Sequence, residues 1–462
     1  GPGESRMNLA VVIRATAGLC EVVKCHATGT PTLVVGCDAR YGSSEFATAA
    51  CRVASAAGVR VLALPQANPT PLTSFSMLHF DADAGVMVTA SHNPAPDNGY
   101  KVYLGGSVVQ GDGRGVQIVP PFDAEIAAAI EAAPPADEVP MNDDLIEAVD
   151  PREEYVACAS ALASGDASAR ENLCIVLTAM HGVGAEITSR VLAEAGFTNV
   201  SLVAAQADPD PDFPTVPFPN PEEAGALDMA IEQAREQGAD LIIAVDPDAD
   251  RCALAVPDPT SETGWSPLSG DQIGSLIGEF LASRGLKGSL ANSIVSSRLL
   301  SRIARAHGLE HHTTLTGFKW IARAPGLGFG YEEAIGFCPD PAHVRDKDGI
   351  ATSVVAASLV ASLKEQGRSV WDELERLARL HGLHVSSPLT FRVDDIEQIA
   401  SGMARLRAQP PTVLAGSPVV EVSDLSQGYR GLPPTDGVLV LTEAGDRVIA
   451  RPSGTEPKLK CY

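Results

Sequence analysis

Ala84-Gly85-Val86-Met87-Val88-Thr89-Ala90-Ser91-His92-Asn93-Pro94 is the stretch from which the rest of the chain is read. Its first five residues form an unbroken apolar run, the mark of a short strand buried on both faces. The polar hexapeptide that follows favours a turn, because proline and asparagine punctuate rather than propagate helices. A serine hydroxyl therefore stands at the carboxyl end of a strand, where open α/β sheets place their ligand sites. Beyond it, Asp97-Asn98-Gly99-Tyr100-Lys101 turns back through Asn-Gly and returns a lysine to the same neighbourhood. Alone, Ser91 reads as a turn hydroxyl capping a helix. Two further loops change that reading.

The first is Asp246-Pro247-Asp248-Ala249-Asp250-Arg251, which follows the apolar run 239–245. That run reads as a buried parallel strand. Three aspartates spaced two apart and broken by proline cannot form a helix face, and they repel one another on a bare loop. Hard divalent cations take carboxylate oxygens, and Mg²⁺ characteristically adds a substrate phosphate oxygen. Arg251, a planar donor that keeps its charge, suits phosphate. The second loop, Arg451-Pro452-Ser453-Gly454-Thr455-Glu456-Pro457-Lys458, follows the apparent strand 448–450. It offers charged donors, two hydroxyls and backbone N–H groups, which is what gripping a phosphate requires.

Together these motifs resemble the α-D-phosphohexomutase superfamily, the phosphoglucomutases and phosphomannomutases. Its hallmarks are a Thr-Ala-Ser-His-Asn-Pro phosphoserine loop, an Asp-x-Asp-x-Asp-Arg magnesium loop, a glutamate-bearing sugar loop and an Arg-x-Ser-Gly-Thr-Glu-Pro phosphate loop. The sugar loop is matched by Gly330-Tyr331-Glu332-Glu333-Ala334-Ile335-Gly336, preceded by Thr316-Gly317-Phe318-Lys319-Trp320 and followed by Val344-Arg345-Asp346-Lys347-Asp348-Gly349. All four motifs stand in family order, and the resemblance spans residues 30–462. This version of the sugar loop looks like the branch holding bacterial phosphomannomutase-like enzymes and the phosphopentomutase or phosphoglucomutase-2-like proteins.

The resemblance implies an α/β fold of three related mixed α/β domains plus a smaller α+β C-terminal domain around a central cleft. It implies reversible phosphoryl transfer between O1 and O6 of a hexose phosphate, an isomerase-class intramolecular phosphotransfer. Phosphoserine at Ser91 donates its phosphoryl, and the bisphosphorylated sugar turns around to return the other one. One Mg²⁺ per site would be held by Asp246, Asp248, Asp250 and the phosphorylated Ser91, with hexose 1,6-bisphosphate as activator. Arg251 is placed with the catalytic set. Lys101 is a candidate for proton movement or charge stabilisation; His92 is either catalytic, a turn-packing imidazole or a backbone hydrogen-bond partner. Glu332, with Glu333 beside it, is expected to take ring hydroxyls. Arg451, Ser453, Gly454, Thr455 and Lys458 are expected to clamp the distal phosphate, and Lys319, Arg345 and Lys347 that phosphate or the sugar. Ala334 stands where many members have serine, which leaves the preference among glucose, mannose and a pentose open.

Composition fits this picture. A net charge of −24 argues against nucleic acid or anionic membrane as a partner, and 45% apolar with 20% charged residues is ordinary for a globular protein. In so acidic a chain the cations of the motif loops stand out. Nine cysteines without a Cys-x-x-Cys pair read as reduced thiols in a cytoplasmic protein. No apolar run suggests a membrane span. The expected partner is a small phosphosugar, and the expected assembly a monomer or homodimer. Both ends read as incomplete, and the Gly-Thr-Ala-Gly-Leu-Arg-like segment found upstream in the family has no counterpart.

At 462 residues the chain exceeds one core. The expected domains are 1–150, carrying the serine loop; 151–258, the metal loop; 259–384, the sugar loop; and 385–462, the phosphate loop. Strands are expected at 32–36, 59–64, 173–177, 252–256 and 289–295. Helices are expected at 44–57, near 151–164 and after the turn 181–184, with a long amphipathic segment 352–380 broken at Gly367. Residues 68–72 and the proline-rich stretch 208–221 read as loops. The strand–helix alternation predicts parallel sheets in the first three units. A phosphopentomutase is the nearest rival. A metal-dependent sugar phosphatase that forms phosphoserine is a second, and a catalytically silent binding protein a third.

Overall fold

A computed structural model describes residues 6–393, 395–452 and 458–462. Four sheets succeed one another along the chain. In the first, Thr32–Cys37 lies parallel between Arg60–Ala63 and Ala84–Val88. Tyr100–Leu104 then runs antiparallel to Ala84–Val88. The second centres on Ile175–Thr178, parallel to Val200–Leu202 and Leu241–Val245, with Cys252–Pro257 antiparallel beyond the metal loop. The third pairs Ser289–Ser293 in parallel with His311–Thr314 and Leu327–Glu332, and Gly336–Cys338 returns antiparallel. The C-terminal sheet is antiparallel, with the helix Ile396–Ala408 packed on one face.

The sheets are thus mixed: in each of the first three the strand before the motif loop is paired in parallel and the strand after it returns antiparallel, while Ile146–Ala148 rejoins the first sheet in parallel beside Arg60–Ala63. The cause is loop length. A parallel return needs a crossover of a dozen or more residues, and the short motif loops can only turn the chain back antiparallel. Each of the first three motif loops is the tip of such a hairpin at a sheet's carboxyl edge.

Two other expectations change. Residues 68–72 lead straight into the helix Thr70–His79, whose Pro71 lies in the first turn, where its missing N–H costs nothing. The helix Gly349–Glu365 is not amphipathic; it is buried almost all round. It lies between the helix Ala185–Glu194 and strands of the second and third domains. A helix the sequence reading passed over, Leu9–His26, is capped by Asn8 and buries Val12, Leu19, Val22 and Val23 on the first domain.

Val34 and Met87 of the first domain, Ile242 and Leu254 of the second, and Phe329 and Val354 of the third belong to one continuous apolar cluster. The three site-bearing sheets are therefore set by shared packing. The C-terminal domain docks separately, placing Leu425, Leu439 and Ile449 on Ile294 and Val295 of the third.

Candidate active site

The serine loop leaves Val88 and places Ser91 in the left-handed region, at φ +50°. Its backbone N–H donates to Thr89 Oγ1 at 2.9 Å. The Ser91 hydroxyl donates to Asp246 Oδ2 at 2.7 Å and lies 3.3 Å from His92 Nδ1. Two motifs far apart in sequence thus meet at one oxygen. Lys101 also arrives: its ammonium donates to Asp248 Oδ2 and Asp250 Oδ2, each at 2.8 Å.

The metal loop is wholly buried. Asp246, Asp248 and Asp250 are 0% exposed, and each offers an oxygen within 4.8 Å of the others. Asp246 Oδ1 accepts from the Arg251 N–H, and Asp248 Oδ2 accepts from Thr70 Oγ1 at 2.6 Å. Lys347 reaches Asp250 Oδ2 at 3.0 Å. Asp248 Oδ1 and Asp250 Oδ1 are buried without a hydrogen-bond partner among the described residues. Buried oxygen left unpaired in a carboxylate cluster is what a hard cation satisfies, so these donors fit Mg²⁺.

The charges follow from this crowding. Burial, then Asp248 and Asp250, pushes the Asp246 carboxyl well above the usual range. Burial also works against the charge of Asp250, but Lys101 and Lys347 outweigh it and hold that carboxyl low. Lys101 is desolvated too, yet Asp248 and Asp250 keep it firmly protonated. Burial, seconded by Arg251, pushes His92 down to about 3, so its imidazole is neutral.

The sugar loop closes onto the metal loop. Cys252 N–H donates to Ile335 O at 3.1 Å, and the Arg251 guanidinium donates to Ala334 O while lying 4.0 Å from Glu332 Oε1. Glu333 accepts from the hydroxyls of Ser293 and Ser296 at 3.0 and 2.9 Å. Lys319 is half-buried on the short helix Phe318–Ile321.

Arg345 and Lys347, expected at the distal phosphate or the sugar, belong to the segment 345–348, which lies where three domains join. Arg345 donates to Asp112 O and Ala322 O, at 2.7 and 2.8 Å. Asp346 Oδ2 accepts from Tyr103 OH and Gln117 Nε2, both at 2.7 Å, and Asp348 Oδ1 accepts from Tyr155 OH at 2.8 Å. Arg451 is the penultimate residue of the strand Arg447–Pro452 and Lys458 begins Lys458–Cys461; Ser453, Gly454 and Thr455 between them lie outside the described residues.

The sequence reading did not single out Arg40 as a site residue. It is 4% exposed, and its guanidinium donates to the carbonyls of Ser91, Asn93, Pro94 and Asp97. The one signal was its place, just past the strand neighbouring the serine loop. Thr70 was missed as well, hidden in a segment read as loop.

Residues 2–136, 153–260 and 269–380 match, in that order, the alpha/beta/alpha domains I, II and III of phosphoglucomutase/phosphomannomutase. A protein named "probable phosphomannomutase" from Haemophilus influenzae is 44% identical over 464 residues, covering 99% of this chain and 92% of that one. The chain belongs to the α-D-phosphohexomutase family. This phosphohexomutase is also 33% identical to a phosphoglucomutase of Staphylococcus haemolyticus and 32% identical to a "probable phosphoribomutase" of Schizosaccharomyces pombe. Those alignments cover all of this chain and 87% and 84% of the relatives. The fold matches that of parafusin, a phosphoglucomutase of Paramecium solved in its open form. The TM-score is 0.76 at 18% identity, over 100% of this phosphohexomutase and 89% of that chain. Among the described residues of the phosphohexomutase no helix is long and apolar enough to cross a membrane.

Proposed function

We propose that this phosphohexomutase moves a phosphoryl group reversibly between O1 and O6 of a hexose phosphate, through phosphoserine at Ser91 and a bisphosphorylated sugar. The observation that carries this is the 2.7 Å contact of the Ser91 hydroxyl with Asp246 inside a buried carboxylate cluster. Phosphoryl transfer needs positioning and charge neutralisation more than covalent chemistry by the protein. Asp246, Asp248 and Asp250 would hold Mg²⁺, which when bound neutralises phosphoryl oxygen charge.

The other roles belong to side chains. Lys101 stands beside the transferring group as a fixed positive charge. His92, neutral and 3.3 Å from Ser91 Oγ, orients that oxygen. Arg251 spans the gap between metal loop and sugar loop and faces phosphate. Lys347 adds charge on the Asp250 side. Glu332 and Glu333 with Lys319 recognise the ring, and Arg451 and Lys458, with Ser453, Gly454 and Thr455, hold the phosphate remote from Ser91. Arg345 supports the joint below.

Ser91→Ala should abolish mutase turnover and leave unfolding unchanged, as read by a coupled assay and circular dichroism. Retention of more than a few per cent of activity ends the phosphoserine reading. A second reading, a pentose 1-phosphate as substrate, draws support from Ala334, which offers no hydroxyl to a hexose and whose carbonyl is taken by Arg251. Glucose, mannose and ribose 1-phosphates compared side by side decide between them.

A further inference from the structure

The proline-rich loop of the second domain and Arg40 of the first meet around the serine loop. Arg40 Nη2 donates to Ser91 O and Asn93 O, each at 2.6 Å, and Nη1 to Pro94 O at 2.9 Å and Asp97 O at 3.2 Å. Its charge is matched by Asp38, itself 3% exposed, at 3.4 Å. Over the guanidinium lies the ring of Phe213, with Cζ 5.0 Å from the centroid. Phe213 is 3% exposed and sits at φ +48°, a conformation rare for a bulky residue. Ala95 of the serine loop packs into the cluster that Phe213 forms with Met180, Val216 and Ala226. The rim is pinned from both sides: Tyr41 OH donates to Asp212 at 3.0 Å, and Asp210 N–H to His181 O at 2.9 Å.

We propose that Arg40 and Phe213 are positioning residues for the transfer step, clamping residues 91–97 so that Ser91 stands in register with the aspartates of the second domain. The proposal rests on the phosphoserine reading. Ser91 belongs to one domain and Asp246 to another, so their 2.7 Å contact requires the loop to be referenced to both. A planar fork of donors can span four carbonyls, whereas an ammonium is a point charge on a flexible stem. The ring on the second domain attracts that buried cation and so couples the two halves. A nucleophile displaced by about 1 Å can lose on the order of a hundredfold in rate.

The test uses the full chain carrying Arg40→Lys or Phe213→Leu, with Val34→Ala as a control that thins the same sheet without touching the loop. Arg40→Lys should lower kcat at least tenfold and Phe213→Leu several-fold, with KM for glucose 1-phosphate within twofold of the wild type. The rate at which glucose 1,6-bisphosphate phosphorylates Ser91, followed by intact mass, should fall in parallel. Val34→Ala should lose stability but keep kcat. A kcat within twofold of wild type in Arg40→Lys overturns the clamp, as does an equal loss in Val34→Ala. If Arg40→Lys does not fold, Phe213→Leu decides, and an unchanged phosphorylation rate there overturns it. Ser91→Ala run alongside separates the two readings. Turnover surviving in Ser91→Ala removes the nucleophile itself, whereas a dead Ser91→Ala beside an unaffected Arg40→Lys removes only the clamp.

Discussion

Three aspartates fully buried beside one another repel, and the residues around them decide how that repulsion is relieved. Lys101 and Lys347 converge on Asp250, Thr70 and Lys101 on Asp248, and Asp246 is left with the Ser91 hydroxyl and a backbone N–H. Asp248→Asn removes one carboxylate charge, so the half-saturating Mg²⁺ concentration should rise by about tenfold or more, with lower turnover. Glu333→Gln, outside the cluster, should leave that titration unmoved; activity undiminished in excess chelator would take the metal out of the reaction. Glu333 makes a different prediction. Burial, then Glu332, pushes its carboxyl up to about 7, above an unfolded value of about 4.3. Between those two pH values the folded chain holds a proton that the unfolded chain has released. Its contribution is therefore complete below the unfolded pKa and is lost as pH rises through about 7. Denaturation at pH 5 and pH 8 should show wild-type stability falling by up to about 3 kcal/mol relative to Glu333→Gln; parallel profiles would refute it.

Elements place these residues by a repeated device. A buried parallel strand ends, a short loop carries the candidate site residues, and the next strand returns antiparallel. The loop tips are then held by their neighbours rather than by their own sequence. The turn after Ile175–Thr178 shows this well: Val183 N–H donates to Pro247 O at 2.9 Å, and a Cβ on Gly182 would come within 2.3 Å of the Pro247 Cα. Only glycine allows that approach. Gly182→Ala should push Pro247 outward and spread the aspartates. The expected result is a weaker Mg²⁺ response with the phosphosugar KM little changed, measured by metal titration at saturating substrate. An unaltered titration would show that the metal loop needs no support from this turn.

At the scale of the molecule, the first three domains share a core, while the C-terminal domain rests on the third through a small apolar cluster and a few polar contacts. Among these, Arg447 donates to Val295 O and Ser296 O at 3.1 and 2.7 Å, beside the hydroxyl that holds Glu333. Under the proposed reaction the bisphosphorylated sugar would have to turn around within the cleft, and the separately docked domain would be the part to open, as lids do in such steps. Arg447→Ala should loosen it, raise KM for the phosphosugar, and let more bisphosphate escape. Activity should then decay faster at low enzyme concentration and recover on addition of hexose 1,6-bisphosphate. Decay identical to wild type would place the hinge of the reaction elsewhere.

What could be read in the linear chain was chemistry at short spacing. Asp246, Asp248 and Asp250 declare themselves because the repulsion is local, and Ser91 because its strand and turn are contiguous. The strand order, the mixed sheets and the long buried helix could not be read this way. Gly349–Glu365 is apolar enough to pass for one face of an amphipathic helix until neighbouring domains cover it all round. Arg40 looks like any surface cation until the fold brings it carbonyls from 91–97 and a ring from residue 213. Lys347 and Asp346 likewise acquire their partners, Asp250 and Tyr103, only when three domains converge. The candidate reactive groups are short-range properties of the sequence. Their alignment is a long-range one, because the groups that hold each loop in place come from other domains.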